Sequence, residues 1–491
     1  MGLAKLRGKK LTRVIGVIGA IGFILQGYDQ AVANGLLTLP AFIRVFPEID
    51  TLNTKGAQKS HNSTIQGTTV AIYEVGCAIG ALSCGVLGDK LGRRRTIFLA
   101  GCIAIVGVII QATPFSLGQL IAGRVITGLG VGGFTATVPM YVSESSSAES
   151  RGRMVLLQGW FAISTLCHRG CLVHLFLPES PRWLARVGRE EEAASTLARL
   201  EDVSVDSEHV AQELEIIHEA LAGPTDGDAA QLSTNPFARI NIHRTLLAIG
   251  VNILAQMTGV NIITFYSDSI FESELGYSGT IARIISGCLQ IWQVCAAGLA
   301  ILLIDRFGRR PLLIGAATGM TIAQACLAGL SSDLSNHGAA SASLLFYFIA
   351  LFCFPIGLFL IPFMYAAEIA PLRIRAKVTA MAAAANWIFN FVIAEASPTG
   401  FATISWRYYI IYACISAFAL CVFYFLCPET KGRTLEEIEE IFVTSKSIFH
   451  TVKVARDMPY QAELLNYAED AEKGGIDSKQ IEDVGAKGNA A

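Results

Sequence analysis

The sequence predicts an all-α, polytopic membrane protein made of two similar helical halves with ten or eleven spans. Three observations predict it. Only 16% of the 491 residues are charged, against ~25% in ordinary soluble domains. The apolar residues, 52% of the chain, gather into runs of about 20, the length that carries a helix across a ~30 Å hydrocarbon core. A set of polar motifs in the first half also returns in the second.

Taken in order, the runs lie near 14–39, 65–87, 96–113, 117–142, 154–177, 245–270, 281–304, 311–331, 343–367, 378–400 and 408–427. Lys5, Arg7, Lys9, Lys10 and Arg13 precede the first, with no acidic residue among them. No short cleavable apolar region follows, so this end reads as a cytoplasmic flank rather than a signal peptide. The connections "GDKLGRRRT", "IDRFGRRP" and "PLRIRAKV" are basic, Lys431 and Arg433 follow the last run, and 112–117 carries no charge. Excess Lys and Arg marks the cytoplasmic side, which places both termini there. Asn62-Ser63-Thr64 fits the glycosylation pattern on the opposite side.

The repeat is specific. "GDKLGRRRT" around Asp89 and Arg93 returns as "IDRFGRRPL" around Asp305 and Arg309. Tyr141, Glu144 and Arg151 return at identical spacing as Tyr365, Glu368 and Arg375. "PESPRW" with Glu179 is echoed by "PETKGR" with Glu429. The organisation expected is a first transmembrane half at 1–177, a linker with short helices at 178–243, a second half at 244–427 and a polar tail at 428–491. Two such halves joined by a soluble loop suggest a carrier with its site between them.

These residues also carry a resemblance. "GYDQ", "GRVITGLGVGG" and both D-x-x-G-R-R loops resemble the major facilitator superfamily. "PESPRW", "QMTGVNIITFYS" and "PETKGR" narrow the likeness to its sugar porter family, and "LLTLPAFIRVFPEID" looks like fungal members. The resemblance implies a major facilitator fold, normally of twelve spans, in the plasma membrane. It implies transport of a hexose-like monosaccharide with a proton, no cofactor and no metal, and only sugar, proton and bilayer as partners. A sugar sensor that binds without transporting, and a passive facilitator, share the same motifs.

Site residues follow by matching. Asp29 and Arg124 are intramembrane charges, costly unless paired, and match the residues that take up and answer the proton in similar symporters. Gln256, Asn261, Tyr266, Phe363, Asn386 and Trp387 match or neighbour sugar contacts. Side-chain amides suit hydroxyls because they both donate and accept, and aromatic faces cover the apolar side of a sugar ring. This chain has Ala255-Gln256 where the family usually has two glutamines, and Phe363 where a Trp is common. Asp89, Arg93, Glu144, Arg151, Glu179, Asp305, Arg309, Glu368, Arg375 and Glu429 match ion pairs that hold the halves together at the cytoplasmic ends. Each surface pair contributes only ~0–1 kcal/mol, so a network is needed.

Other signals point away from enzyme chemistry. "GLGVGG" at 128–133 fits a nucleotide-loop pattern but lies inside an apolar run, where it reads as close helix packing. The 12 cysteines stand without a C-x-x-C pair and read as buried packing. No histidine spacing suits a metal, nothing suggests nucleic acid, and no nucleophile–base arrangement is visible. Glu74 and Glu395 lie in spans without an obvious partner.

One stretch breaks the repeat. Arg375 to Pro428 covers 53 residues, enough for two spans and a turn, whereas Arg151 to Pro178 covers only 27. Two spans of ~20 residues do not fit in that length. His168 and Arg169 also interrupt the run at 154–177. A single crossing would invert every basic loop after it, against the positive-inside bias. The favoured expectation is a stretch that does not cross, two helices fused with their middle removed, and impaired transport as the result.

Overall fold

The computed structural model describes residues 7–8, 10–12, 14–16, 40–50, 54–146, 151–163, 177–222, 235–238, 241–273, 275–332, 337–445 and 447–459. Asp29, His168, Arg169 and almost all of the run at 14–39 lie outside them. Among the described residues no strand forms, and nine helical segments are long and apolar enough to cross a membrane. They fall on every expected run except 14–39 and 154–177.

The first half contains α1 (Gly56–Leu91), α2 (Arg93–Ala112), α3 (Leu117–Glu144) and α4 (Arg151–Ile163). α3 is its central element, buried almost continuously from Gly128 to Glu144 and packed on both α1 and α2. Small residues permit this. A Cβ added at Gly128 would meet the Tyr73 carbonyl oxygen at 2.3 Å, and one at Gly132 would meet that of Cys77 at 1.9 Å. The "GLGVGG" run is therefore a helix-packing surface, as small-residue interfaces in membranes usually are.

α1 gives way to α2 at Gly92, whose φ of +86° is left-handed and suits a residue without Cβ. Across the repeat, α10 (Gly279–Phe307) gives way to α11 (Arg309–Leu330) at Gly308 with φ +93°. Between the halves lie α5 (Pro181–Arg186), α6 (Glu190–Glu201) and α7 (Glu208–Ala222). They close a small core of Trp183, Leu184, Ala193, Leu197, Val210 and Ile217, into which the second half inserts Leu372.

The second half begins with α8 (Ile242–Gln256) and α9 (Val260–Ser273), one span broken at Met257–Gly259, where Gly259 has φ +83°. α10 and α11 follow. α12 (His337–Gly357) and α13 (Ile361–Ile369) form a second broken span, with Pro355 inside the one and Pro362 opening the other. A proline removes a backbone donor and clashes with the preceding turn, which accounts for the interruption. α14 (Arg375–Ile404) and α15 (Arg407–Leu426) complete the bundle. The tail contributes α16 (Leu435–Thr444), started by a Thr434–Glu437 capping box, and α17 (Thr451–Asp457). The halves meet where α14 lies on α1 and α3, α10 on α4, and α13 on α3.

The structure bears on two expectations. Asn62 is 4% exposed and donates to the Asp50 carbonyl at 2.8 Å, so its amide is sequestered rather than displayed for glycosylation. The compressed stretch also begins and ends on one face. Arg151 Nη1 is 3.9 Å from Glu368 Oε1, and Arg182 Nη1 donates to the Glu144 carbonyl at 3.1 Å, in the same charged layer. The two ends of the stretch therefore lie on one side of the bundle. α4 itself has 13 residues, about 20 Å at ~1.5 Å per residue, and residues 164–176 lie outside the description.

Candidate functional site

An amide cluster sits about halfway along the bundle, where the broken α8–α9 span faces α14. Asn252 and Gln256 share one face of α8 at helical spacing, as Asn386 and Asn390 do on α14. Gln256 Nε2 donates to Asn386 Oδ1 at 3.1 Å, and Asn386 Nδ2 donates to the Asn252 carbonyl at 3.3 Å. Asn261 Nδ2 reaches both Gln256 Oε1 and Asn390 Oδ1 at 2.6 Å. All five are buried, none more than 8% exposed. Asn252 also donates to the Pro362 carbonyl at 3.0 Å, which ties the cluster to the broken α12–α13 span beside Phe363.

Of the matched residues, Gln256, Asn261 and Asn386 come together directly. Tyr266 and Trp387 spend their polar groups on partners outside the cluster. The Tyr266 hydroxyl donates to the Ala394 carbonyl at 2.6 Å. The Trp387 indole donates across the halves to Thr135 Oγ1 at 2.9 Å, and its ring meets Tyr73 edge-on at 6.4 Å. Arg124 completes this line. Its guanidinium lies 5.5 Å from the centre of the Tyr73 ring and donates to the Val70 carbonyl at 3.0 Å. Arg124, Tyr73 and Trp387 thus form a continuous path from the buried cation to the neighbour of Asn386. Asn252 and Asn390 escaped the sequence reading, although their four-residue spacing from Gln256 and Asn386 was the available signal.

At the basic end the repeated charges form a crossed pattern. Glu144 is held by Arg93 of its own half at 3.1 Å and approached by Arg375 of the other at 3.7 Å. Glu368 is held by Arg309 of its own half at 2.9 Å and approached by Arg151 of the other at 3.9 Å. Ser180 Oγ donates to Glu144 at 2.6 Å, and Thr430 Oγ1 to Glu368 at 2.7 Å. Arg153 pairs with Asp305, again across the halves, and Arg182 of the linker pairs with Glu436 of the tail at 3.1 Å. Asp89 instead pairs with the linker and with its own half, 2.6 Å from Arg186 and 3.5 Å from Arg93.

Two corrections follow. The Glu144 and Glu368 side chains are fully buried, so their pairs belong to the costly interior class and not to the weak surface class. Glu179 and Glu429 make no ion pair among the described residues; they cap helices. Glu179 Oε1 accepts from the Arg93 and Arg94 backbone N–H groups at 2.9 and 3.1 Å, at the start of α2. Glu429 accepts from those of Arg309 and Arg310 at 2.9 and 3.0 Å, at the start of α11. Helix N-termini present unpaired donors and a favourable dipole to such carboxylates. The same contact explains the glycines, since a Cβ at Gly92 would lie 2.6 Å from Glu179 Oε2, and one at Gly308 2.5 Å from Glu429 Oε2.

The chain matches the family described as "Sugar (and other) transporter" over residues 15–166 and 161–442. It belongs to that sugar transporter family. The two matched stretches meet at 161–166, inside the segment that the internal repeat marks as too short. Relatives include the MFS-type transporter oryC of Aspergillus oryzae, 33% identical over 484 residues, 91% of this chain and 88% of that protein. The sugar transporter STL1 of Saccharomyces cerevisiae is also 33% identical, over 89% of this chain and 82% of its own length. Among solved structures, the proton:xylose symporter XylE bound to 6-bromo-6-deoxy-D-glucose superposes with a TM-score of 0.74 at 25% identity. That superposition covers 89% of this chain and 100% of the other.

Membership places the amide cluster and the charged layer in a major facilitator bundle, an integral membrane transporter and not an enzyme. Broken spans that bring polar groups to mid-bundle are how such carriers build a site in lipid. One further contact crosses the halves at the end opposite the charged layer: Thr68 Oγ1 of α1 donates to Glu395 Oε1 of α14 at 3.1 Å.

Proposed function

We propose that this transporter carries a hexose-like monosaccharide together with a proton by alternating access. The observation that carries the reading is the continuous path Arg124–Tyr73–Trp387 beside Asn386. It joins a buried cation to an amide cluster whose chemistry suits sugar hydroxyls. Printed names of relatives and of a superposable structure, a sugar transporter and a proton:xylose symporter, support the substrate class and the coupling ion.

In this reading Gln256, Asn261, Asn386 and Asn390 exchange their mutual hydrogen bonds for bonds to hydroxyls, with Phe363, Trp387 and Tyr266 lining the apolar sides. Asp29 pairs with Arg124 when deprotonated. Protonation frees Arg124, and the shift passes through Tyr73 to the α14 face that carries Asn386. The charged layer is the cytoplasmic gate, closed here by the Arg375–Glu144 and Arg151–Glu368 pairs. Both termini are cytoplasmic and the plasma membrane is the location. The short stretch between Arg151 and Pro178 lowers turnover, because the cavity loses the wall that two full helices supply.

Uptake of labelled glucose into proteoliposomes, with and without an inward proton gradient, tests this directly. Gradient-driven accumulation that Asp29→Asn abolishes is the expected result. Equilibration indifferent to the gradient identifies a facilitator, and binding without uptake, persisting after the missing hairpin is restored, identifies a sensor.

A further inference from the structure

The tail beyond the last span is fastened by a buried cation. Arg433 is 1% exposed. Its Nη2 donates to the carbonyls of Ala455 at 2.8 Å and Met458 at 2.7 Å, and its Nη1 to that of Pro459 at 3.5 Å. These carbonyls close the C-terminal end of α17, where oxygens lack donors within the helix and the dipole favours a cation. α17 is seated from its other side as well. Its buried Val454 and Ala455 pack on Ile441 of α16, with Met458 against them.

The segment that holds Arg433 also supplies partners to the charged layer. Thr430 binds Glu368. The main-chain oxygen of Arg433 accepts from Arg151 Nη1 at 3.4 Å. Glu436, in the first turn of α16, pairs with Arg182 at 3.1 Å. Arg151 belongs to the first half and Arg182 to the linker that follows it. One guanidinium therefore connects the seating of α17 to one contact with the first half and one with the linker.

We propose that α17 is a strap on the cytoplasmic gate. Seated, it fixes residues 428–436 where they meet Arg151 and Arg182 and keeps that side closed. Unseated, it removes three acceptors from a buried charge, frees the segment, and lets the side open. The proposal rests on the alternating-access reading, since a gate has meaning only within it.

Hydrogen–deuterium exchange on the full chain in lipid nanodiscs tests it, comparing wild type with Arg433→Gln and Val454→Asp. Exchange is read at 448–459 for the strap, and at 141–146 and 365–372 for the gate. The wild-type strap is expected to be protected, and both variants to show several-fold faster exchange in strap and gate together. Val454→Asp loosens α17 without touching Arg433, so it decides the matter even where Arg433→Gln folds poorly. A strap that exchanges freely in wild type, or one released with no change at the gate, overturns the proposal. Uptake of labelled glucose by the wild type is scored separately, so a failed carrier reading and a failed strap are distinguishable.

Discussion

Arg375 Nη1 lies 3.7 Å from Glu144 Oε1 across the seam between the halves, and both side chains are at most 2% exposed. The internal repeat makes the mirror contact, Arg151 to Glu368, at 3.9 Å. Each carboxylate thus has a close arginine in its own half and a more distant one in the other. In the alternating-access reading proposed above, opening the face removes one arginine from each carboxylate without stripping either of all its partners. Removing one member of a buried pair typically costs about 3–5 kcal/mol. Arg375→Ala is therefore expected to bias the bundle toward the state open at the basic face. Faster hydrogen exchange at 141–146 and slower net uptake check this, with partial recovery in the Glu144→Gln/Arg375→Gln double variant.

The amide cluster predicts a binding effect. Asn386→Ala or Asn390→Ala leaves buried amide partners unsatisfied, at about 1–3 kcal/mol. At ~1.4 kcal/mol per tenfold, the half-saturating sugar concentration in counterflow should rise roughly 5- to 100-fold. Maximal rate should change less. An unchanged concentration dependence assigns these amides to helix joining alone.

Thr68 and Glu395 bridge the halves at the end opposite the charged layer. Thr68→Val keeps the shape and removes the donor. The expected outcome is easier opening on that side, seen as faster labelling of introduced cysteines near the end of α1 opposite the charged layer, with the exchange of 141–146 unaltered.

The linker predicts a pH effect. Burial pushes the Glu213 carboxyl up, against the pull of Arg182, and the like charges of Glu436 and Glu201 add to the rise. The fold thus prefers its neutral form, a contribution that is favourable at acid pH and is lost as pH rises through the carboxylate range. Glu213→Gln is expected to raise the melting temperature at neutral pH. The gain should vanish as pH falls below ~4.3, the ordinary Glu value. Glu436 behaves oppositely. Burial opposes its charge but Arg182 and Arg375 outweigh burial, and its carboxyl sits below the usual range.

What could be read in the sequence was whatever depends on local pattern. Nine of the eleven apolar runs fall on membrane-length helices among the described residues, and the packing role of "GLGVGG" followed from small residues in an apolar context. Equal spacing of Tyr141, Glu144 and Arg151 with Tyr365, Glu368 and Arg375 announced that the two halves would offer matching groups. It did not say that each arginine would reach for the opposite half, because that depends on how the helices are laid side by side. Glu179 and Glu429 were misjudged for a related reason. Their acceptor role depends on backbone donors at Arg93-Arg94 and Arg309-Arg310, and composition shows side chains, not free N–H groups. Trp387 resembled a sugar-stacking ring, and its indole N–H also reaches Thr135, on a helix more than two hundred positions away, which no local pattern announces.

That Arg151 and Arg182 share one face has a consequence for how such a chain arises. Loss of an even number of crossings preserves parity: every later helix keeps its heading and every later loop its compartment. Loss of one alone would have turned the whole downstream bundle over and sent its arginines to the wrong side. In the reading proposed above, a chain shortened by a whole hairpin would still thread into a bilayer and fold its remaining interfaces. It would forfeit volume around the cargo, not handedness.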